Sequence, residues 1–350
     1  MQRTLALLLY VVFVAALGWI CFIHPVSDDF DRYIYEALVR GRYEDVQRIY
    51  PIVKRENPRA AASSVLDSPE HLAQLEPLYA IRPLYLKTIE VVAQTGVPVQ
   101  RAINLVSSLS LFGIGMVLLG WTRRPAYCGL LMATPAIVVL GRIGTPDALS
   151  SLLVLSSTWA LVRQRIFPGV LLLLASIWVR TDNILIVLLV FAWLAGTGKL
   201  SLSQSAILGV VAAASVLVIQ HFSGNYGWSV LFRYSFIAGK YPAEIAAPVS
   251  WREYIAALGR GLEEIGGQEL ALWTLIGLAA WRWLPKSFVS RQLLVPVLVA
   301  SVARFLLFPT PEDRYFAWAY LIVGACFIEA IGTTPIFRKD SVRAWIVALI

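Results

Sequence analysis

Clustered acids, and arginines that recur near them, are the residues of this chain that suit chemistry. Asp28, Asp29 and Asp31 fall within four residues, just after an apolar run ending at His24-Pro25. On a helix, Asp28 and Asp31 share a face and Asp29 lies over Tyr33. One face suits a divalent cation held by carboxylate oxygens. The other suits a general base acting on a hydroxyl. The same acids would also suit a solvated helix start. Asp147 follows Thr145-Pro146, Asp182 follows Thr181, and Glu312-Asp313 precede Arg314. Helix capping competes with a site role for Asp147 and Asp182. A wet turn competes with one for Glu312-Asp313-Arg314. Arg82, Arg142, Arg180, Arg233, Arg304 and Arg314 lie at or near the ends of apolar runs. A guanidinium there either grips phosphate through its planar fork or snorkels to lipid headgroups.

Other chemistries lack their signatures. His24, His71 and His221 have no zinc spacing and carry no signal of their own. There is no GxGxxG and no P-loop, and Gly196-Thr197-Gly198-Lys199 reads as a basic turn. Cys21, Cys128 and Cys326 fall inside apolar runs, so neither a disulfide nor a cysteine metal framework is expected.

The elements that must position these residues are membrane helices. The 350 residues are 58% hydrophobic and 15% charged, with a mean hydropathy of +0.68. A soluble domain carries roughly 25% charged residues. Apolar runs recur along the whole length, which predicts an all-α, polytopic helical bundle of about ten spans. The spans are expected near 4–24, 99–121, 126–141, 148–162, 166–179, 184–195, 201–220, 268–284, 292–308 and 315–332. The first is read as an uncleaved span, because no small-residue cleavage site follows it. Two long polar segments lie outside the spans. Residues 25–98 form the first extracytoplasmic loop, and 221–267 form the second. Asp31–Tyr50 carries apolar residues at helical spacing and predicts an amphipathic helix on the membrane surface.

The net charge of +8 is dispersed in short groups between spans, which excludes a nucleic-acid patch. With the N-terminus in the cytoplasm, the inner gaps hold Arg123-Arg124, Arg163 and Arg165, Lys199, Lys286 and Arg291, and Arg338-Lys339 with Arg343. The outer gaps hold every acidic cluster named above. The positive-inside bias is met at each short gap.

The ordered motifs resemble the GT-C superfamily of integral membrane glycosyltransferases. They are an acid pair with a tyrosine four residues on (Asp29…Tyr33), Arg82-Pro83-Leu84-Tyr85, Pro146-Asp147, Arg180-Thr181-Asp182-Asn183 and Asp313-Arg314-Tyr315-Phe316. Protein O-mannosyltransferases and the aminoarabinose transferases of lipid A belong to that superfamily. The resemblance implies inverting transfer of a sugar from a polyprenyl-phosphate carrier to a lipid, glycan or protein hydroxyl. The active site would lie on the outer face of a bacterial cytoplasmic membrane. It implies Asp29 as the general base, with Asp28 second, since typical members carry Asp-Glu where this chain has Asp28-Asp29. Asp31 would position substrate or, with Asp28, hold a divalent cation. Arg82, Arg180 and Arg314, with Tyr85 and Tyr315, would bind the carrier phosphate. Asp147 and Asp182 belong to the same expected substrate site. The aromatic segment Asn225–Tyr241 would line the lipid or sugar groove. A transporter, flippase or polymer-handling protein is the competing class. It would place ionisable residues in mid-span, and these spans are nearly free of charge there. A membrane scaffold without chemistry ranks after that.

Overall fold

The computed structural model describes residues 2–26, 31–41, 45–56, 67–237, 241–245 and 248–333. Asp28 and Asp29, and the basic tail with Arg338, Lys339 and Arg343, lie outside the described residues. Those described form seventeen α-helices and no strand. The first is α1 (Gln2–Ile23), followed by four short helices: α2 (Asp31–Gly41), α3 (Val46–Glu56), α4 (Pro69–Ala80) and α5 (Pro83–Gln94). Next come α6 (Val99–Thr122), α7 (Pro125–Met132), α8 (Pro135–Arg142), α9 (Asp147–Val162), α10 (Ile166–Val179), α11 (Ile184–Gly196) and α12 (Leu202–Ser223). The second polar segment holds α13 (Trp228–Phe236) and α14 (Trp251–Glu264). The last three are α15 (Leu270–Trp283), α16 (Val289–Leu307) and α17 (Ala317–Thr333).

Four of these helices, α1, α6, α12 and α16, are long and apolar enough to cross a membrane. The α7–α8 pair passes the same test but is bent by 68°. Five shorter apolar helices occupy the remaining predicted positions. The bend corrects the expected single span at 126–141. Its cause is Thr134-Pro135. Proline has no N–H to continue the ladder, and it holds Thr134 in an extended conformation.

The centre of the bundle is α17, which is buried on nearly every residue from Ala317 to Ala330. A helix that is apolar all round belongs in the middle of such a bundle. By contrast α1 and α12 show long apolar faces, with Leu8, Leu9, Leu202 and Phe222 all more than half exposed. Continuous apolar faces of this kind suit contact with lipid tails.

Residues 31–50 do not form one surface helix. They break into α2 and α3, which pack on α4 around Ile34, Ile49, Val53, Leu72 and Leu75. The apolar face of α2 is spent on this small core and on Tyr85 and Ile89 of α5, so the expected membrane-lying helix is part of the protein interior instead. The four helices form a cap at one end of the bundle.

Away from the cap, Arg163 donates to the Gly120 carbonyl at 3.2 Å, and the Arg124 guanidinium packs on Gly332. Asp31 of the cap is joined by Arg314 from the turn before α17.

One cap residue titrates unusually. Glu76 of α4 lines an apolar groove of about 350 Å³ with Trp178 and Phe222. Burial pushes its carboxyl up to about 7 from 4.5. The folded protein therefore keeps a proton that the unfolded chain gives up at lower pH. This contribution is fully present below about pH 4.5 and is lost as pH rises through about 7. Glu76→Gln is expected to flatten that loss in thermal unfolding followed across this window. An unchanged slope would contradict the burial of this carboxyl.

Candidate functional site

Six helix ends and two tight turns meet beneath the cap. There, α9 starts at Asp147, and α10 runs into a 3-10 turn at Thr181–Asn183. The last turn of α16 carries Arg304, and a second 3-10 turn, Asp313–Tyr315, leads into α17. The start of α2 brings Asp31, and the start of α5 brings Arg82. The two turns, Asp31, Arg82 and the end of α16 border a cavity of about 720 Å³ that also reaches α12 and α13, and Asp147 joins it through Arg180.

Asp147 and Asp182 are not helix caps. Neither α9 nor α11 has a side-chain capping bond at its start. Asp147 is 3% exposed, its Oδ1 takes a hydrogen bond from Arg180 Nη1, and its Oδ2 takes one from Thr145 Oγ1 at 2.6 Å. Arg180 also grips Asp182 with its fork, Nε to Oδ1 at 3.0 Å and Nη2 to Oδ2 at 2.7 Å. Arg304 Nε donates to the same Oδ2 at 3.0 Å. The turn itself is pinned by Asn183 Nδ2, which donates to Ser150 Oγ at 2.8 Å and to the Ser176 carbonyl at 3.0 Å. Burial alone would raise the pKa of Asp182. Arg180, then Arg304 and Arg82, outweigh it and hold the carboxyl well below the usual carboxylate range.

A second network joins ends of the chain far apart in sequence. Arg314 Nη1 donates to Asp31 Oδ2 at 3.0 Å, and Tyr79 donates to Asp31 Oδ1 at 2.6 Å. Arg314 Nε donates to Glu312 at 2.8 Å, and Nη2 donates to the Tyr315 hydroxyl at 3.0 Å. The Tyr315 ring is the meeting point of the two networks. The guanidinium carbons of Arg180, Arg304 and Arg314 lie 4.9, 4.8 and 4.8 Å from its centroid. A ring in that position spreads some negative quadrupole among three cations. Asp313 is an ordered part of its turn, accepting from the Tyr320 hydroxyl and the Glu269 amide, so this stretch is no loose wet turn.

Arg82 differs from the other three arginines. Its guanidinium carbon sits 5.5 Å from the Tyr35 ring and 5.2 Å from the Tyr79 ring. It has no carboxylate partner among the described residues, and its Nη1 is shut from solvent without a hydrogen-bond acceptor. Burial works against its charge, but Tyr35, Asp31 and Tyr79 outweigh that effect and the pKa is raised, so it stays a cation. A buried donor with nothing to donate to is unfavourable unless a ligand supplies the acceptor.

The structure thus gathers Asp31, Arg82, Asp147, Arg180, Asp182, Arg314 and Tyr315 at one place. Tyr85 does not join them. It is fully buried behind Tyr35, with ring centroids 5.1 Å apart, and acts as packing beneath Arg82. Arg180 and Arg314 are already committed to carboxylates, so they shape the cavity more than they offer free donors. Arg142 donates to the His24 carbonyl, and Arg233 pairs with Glu253, both away from the cavity lining. Asp31 has both oxygens engaged by Tyr79 and Arg314, a donor set that does not suit a cation ligand. The aromatic segment does reach the cavity through Trp228, Tyr234 and Phe236. Arg304, one of the arginines expected at a span end, lines it as well, together with Tyr79 and His71, to which the sequence reading gives no role. No protein-family model, curated protein or solved structure matches the chain.

Proposed function

We propose that this chain is a membrane glycosyltransferase of the GT-C type, with about ten spans. It transfers a sugar from a polyprenyl-phosphate carrier to an acceptor hydroxyl of a lipid, glycan or protein, inverting the anomeric carbon. The reaction takes place at the outer face of a bacterial cytoplasmic membrane. Arg82 carries the reading: an unpaired, partly buried guanidinium in a cavity of about 720 Å³ at the end of an apolar helical bundle. A phosphate diester on a lipid tail is the ligand that such a place fits. Its tail lies against apolar helices, and its charge meets a fork of N–H donors.

The chemistry follows from the charges. As the acceptor oxygen bonds to the anomeric carbon, the bond from that carbon to the phosphate oxygen breaks, and its electron pair leaves with the phosphate. Arg82 meets the charge that develops there, in a site where solvent is scarce. The carboxylate pairs of Arg180, Arg304 and Arg314 hold the donors of the cavity in a fixed field and prevent their collapse onto the phosphate. A first-loop acid takes the proton released by the acceptor, with Asp29 first and Asp28 second. A cation is not needed to neutralise the leaving group, because arginine supplies that charge.

Purified protein incubated with polyprenyl phosphates carrying different hexoses and pentoses, plus candidate acceptors, is expected to release sugar-free carrier from one of them. Asp29→Asn is expected to slow that release by about 10²–10⁴-fold in protein that still folds in membranes. Full activity in the variant would remove Asp29 as base. Substrate flux through empty vesicles without any lipid-linked sugar would instead favour the transporter.

A further inference from the structure

A residue of the cavity wall carries a second buried polar atom with no hydrogen-bond partner among the described residues. His71 is the third residue of α4. Its backbone N–H is capped by Ser68 Oγ at 3.1 Å, with Pro69 opening the helix. That cap places Asp67 one turn before it, and His71 Nδ1 lies 2.8 Å from Asp67 Oδ1. A carboxylate only accepts, so Nδ1 carries the proton. In the neutral ring Nε2 is then left as the acceptor. His71 is 2% exposed and lines the cavity, and Nε2 has no hydrogen-bond partner among the described residues. The ring is further fixed edge-on to Tyr241, with centroids 4.7 Å apart, and Gln74 of the same helix accepts from the Ala243 amide.

An imidazole whose tautomer and plane are set from one side, and whose other nitrogen is unpartnered at the wall of a cavity, is prepared for a donor that arrives with a ligand. We propose that His71, oriented by Asp67, accepts a hydrogen bond from a hydroxyl of the donor sugar and so selects for the sugar-bearing carrier. The inference rests on the glycosyl-transfer reading. The sugar is joined to the phosphate through a single oxygen, so a cavity that takes the phosphate at Arg82 must also take the ring. His71 is a cavity residue whose Nδ1–H is held by Asp67, which leaves Nε2 as the ring atom for a sugar hydroxyl. Asp67 is a positioning residue.

The test compares binding of two probes to the full-length protein in detergent: an undecaprenyl phosphate carrying a hexose or pentose, and the same carrier without sugar. His71→Ala is expected to weaken binding of the sugar-bearing carrier by about tenfold or more, with sugar-free carrier unchanged. His71→Gln, whose amide oxygen can accept, is expected to recover most of the loss. Asp67→Asn is expected to fall between the two, because it frees the ring to turn. His71→Ala also removes the Asp67 hydrogen bond and the Tyr241 contact, so the thermal midpoint of each ligand-free variant is recorded to separate loss of fold from loss of the acceptor. A variant that loses both probes alike, or neither, overturns the role of His71 and leaves the phosphate site standing. A wild-type protein that binds neither probe overturns the transferase reading and this one together.

Discussion

Replacing Arg82 by Gln is expected to lower sugar transfer by about 10²–10³-fold while the protein remains folded. The reason lies in what Arg82 lacks. Arg180, Arg304 and Arg314 are tied to Asp182, Asp147, Asp31 and Glu312, so removing one of them unbalances a buried charge. Arg82 lies beside the edge-on rings of Tyr35 and Tyr79 and has no carboxylate partner among the described residues, so its removal strands no acid. Lysine should not rescue it. An ammonium offers a point charge where the stacked, planar fork is used. The measurement is release of sugar-free carrier at saturating donor, with a thermal midpoint recorded for the same preparation. Activity within a factor of about three of the wild type would contradict a phosphate role for Arg82.

Arg180→Met is expected to act mainly on the fold. Its guanidinium is the only side chain that joins Asp147 and Asp182 among the described residues, and both it and Asp147 are buried. Breaking a buried ion pair from one side costs about 3–5 kcal/mol, because the surviving charge keeps its desolvation penalty. Against a typical stability of about 5–15 kcal/mol, that is a large fraction. The variant should therefore express poorly or unfold at markedly lower temperature, and it should lose activity with its structure. Adding Asp147→Asn to Arg180→Met should recover part of the loss, since the stranded charge is then gone. A double variant no more stable than the single one would show that the pair is solvated and that the buried geometry is wrong.

The helical frame was legible because apolar runs in a low-charge chain leave few alternatives. Each expected span has a helix, although one is the bent α7–α8 pair, and its signal was present in Thr134-Pro135. The pairings were not legible. Arg314 meets Asp31 across 283 residues and Arg304 meets Asp182 across 122, and no local pattern encodes such a contact. The amphipathic pattern at 31–50 was read correctly as helical but assigned the wrong solvent. Periodicity reports that a face is buried, not whether lipid or protein covers it. Tyr85 was misplaced for a related reason: adjacency to Arg82 in sequence is not adjacency in the cavity, because α5 turns it inward. His71 had a usable signal. Asp67-Ser68-Pro69 before it is a helix start, and a helix start fixes which side chains lie one turn apart.

A cryo-EM structure of the protein in nanodiscs with a non-hydrolysable polyprenyl-phosphate sugar tests the assignment of the cavity most directly. Phosphate density within hydrogen-bonding distance of Arg82 Nη1, with the lipid tail leaving toward the apolar helices, is the expected result. Phosphate density at the other end of the bundle, beside Lys286 and Arg291, with the cavity under the cap empty, would contradict it.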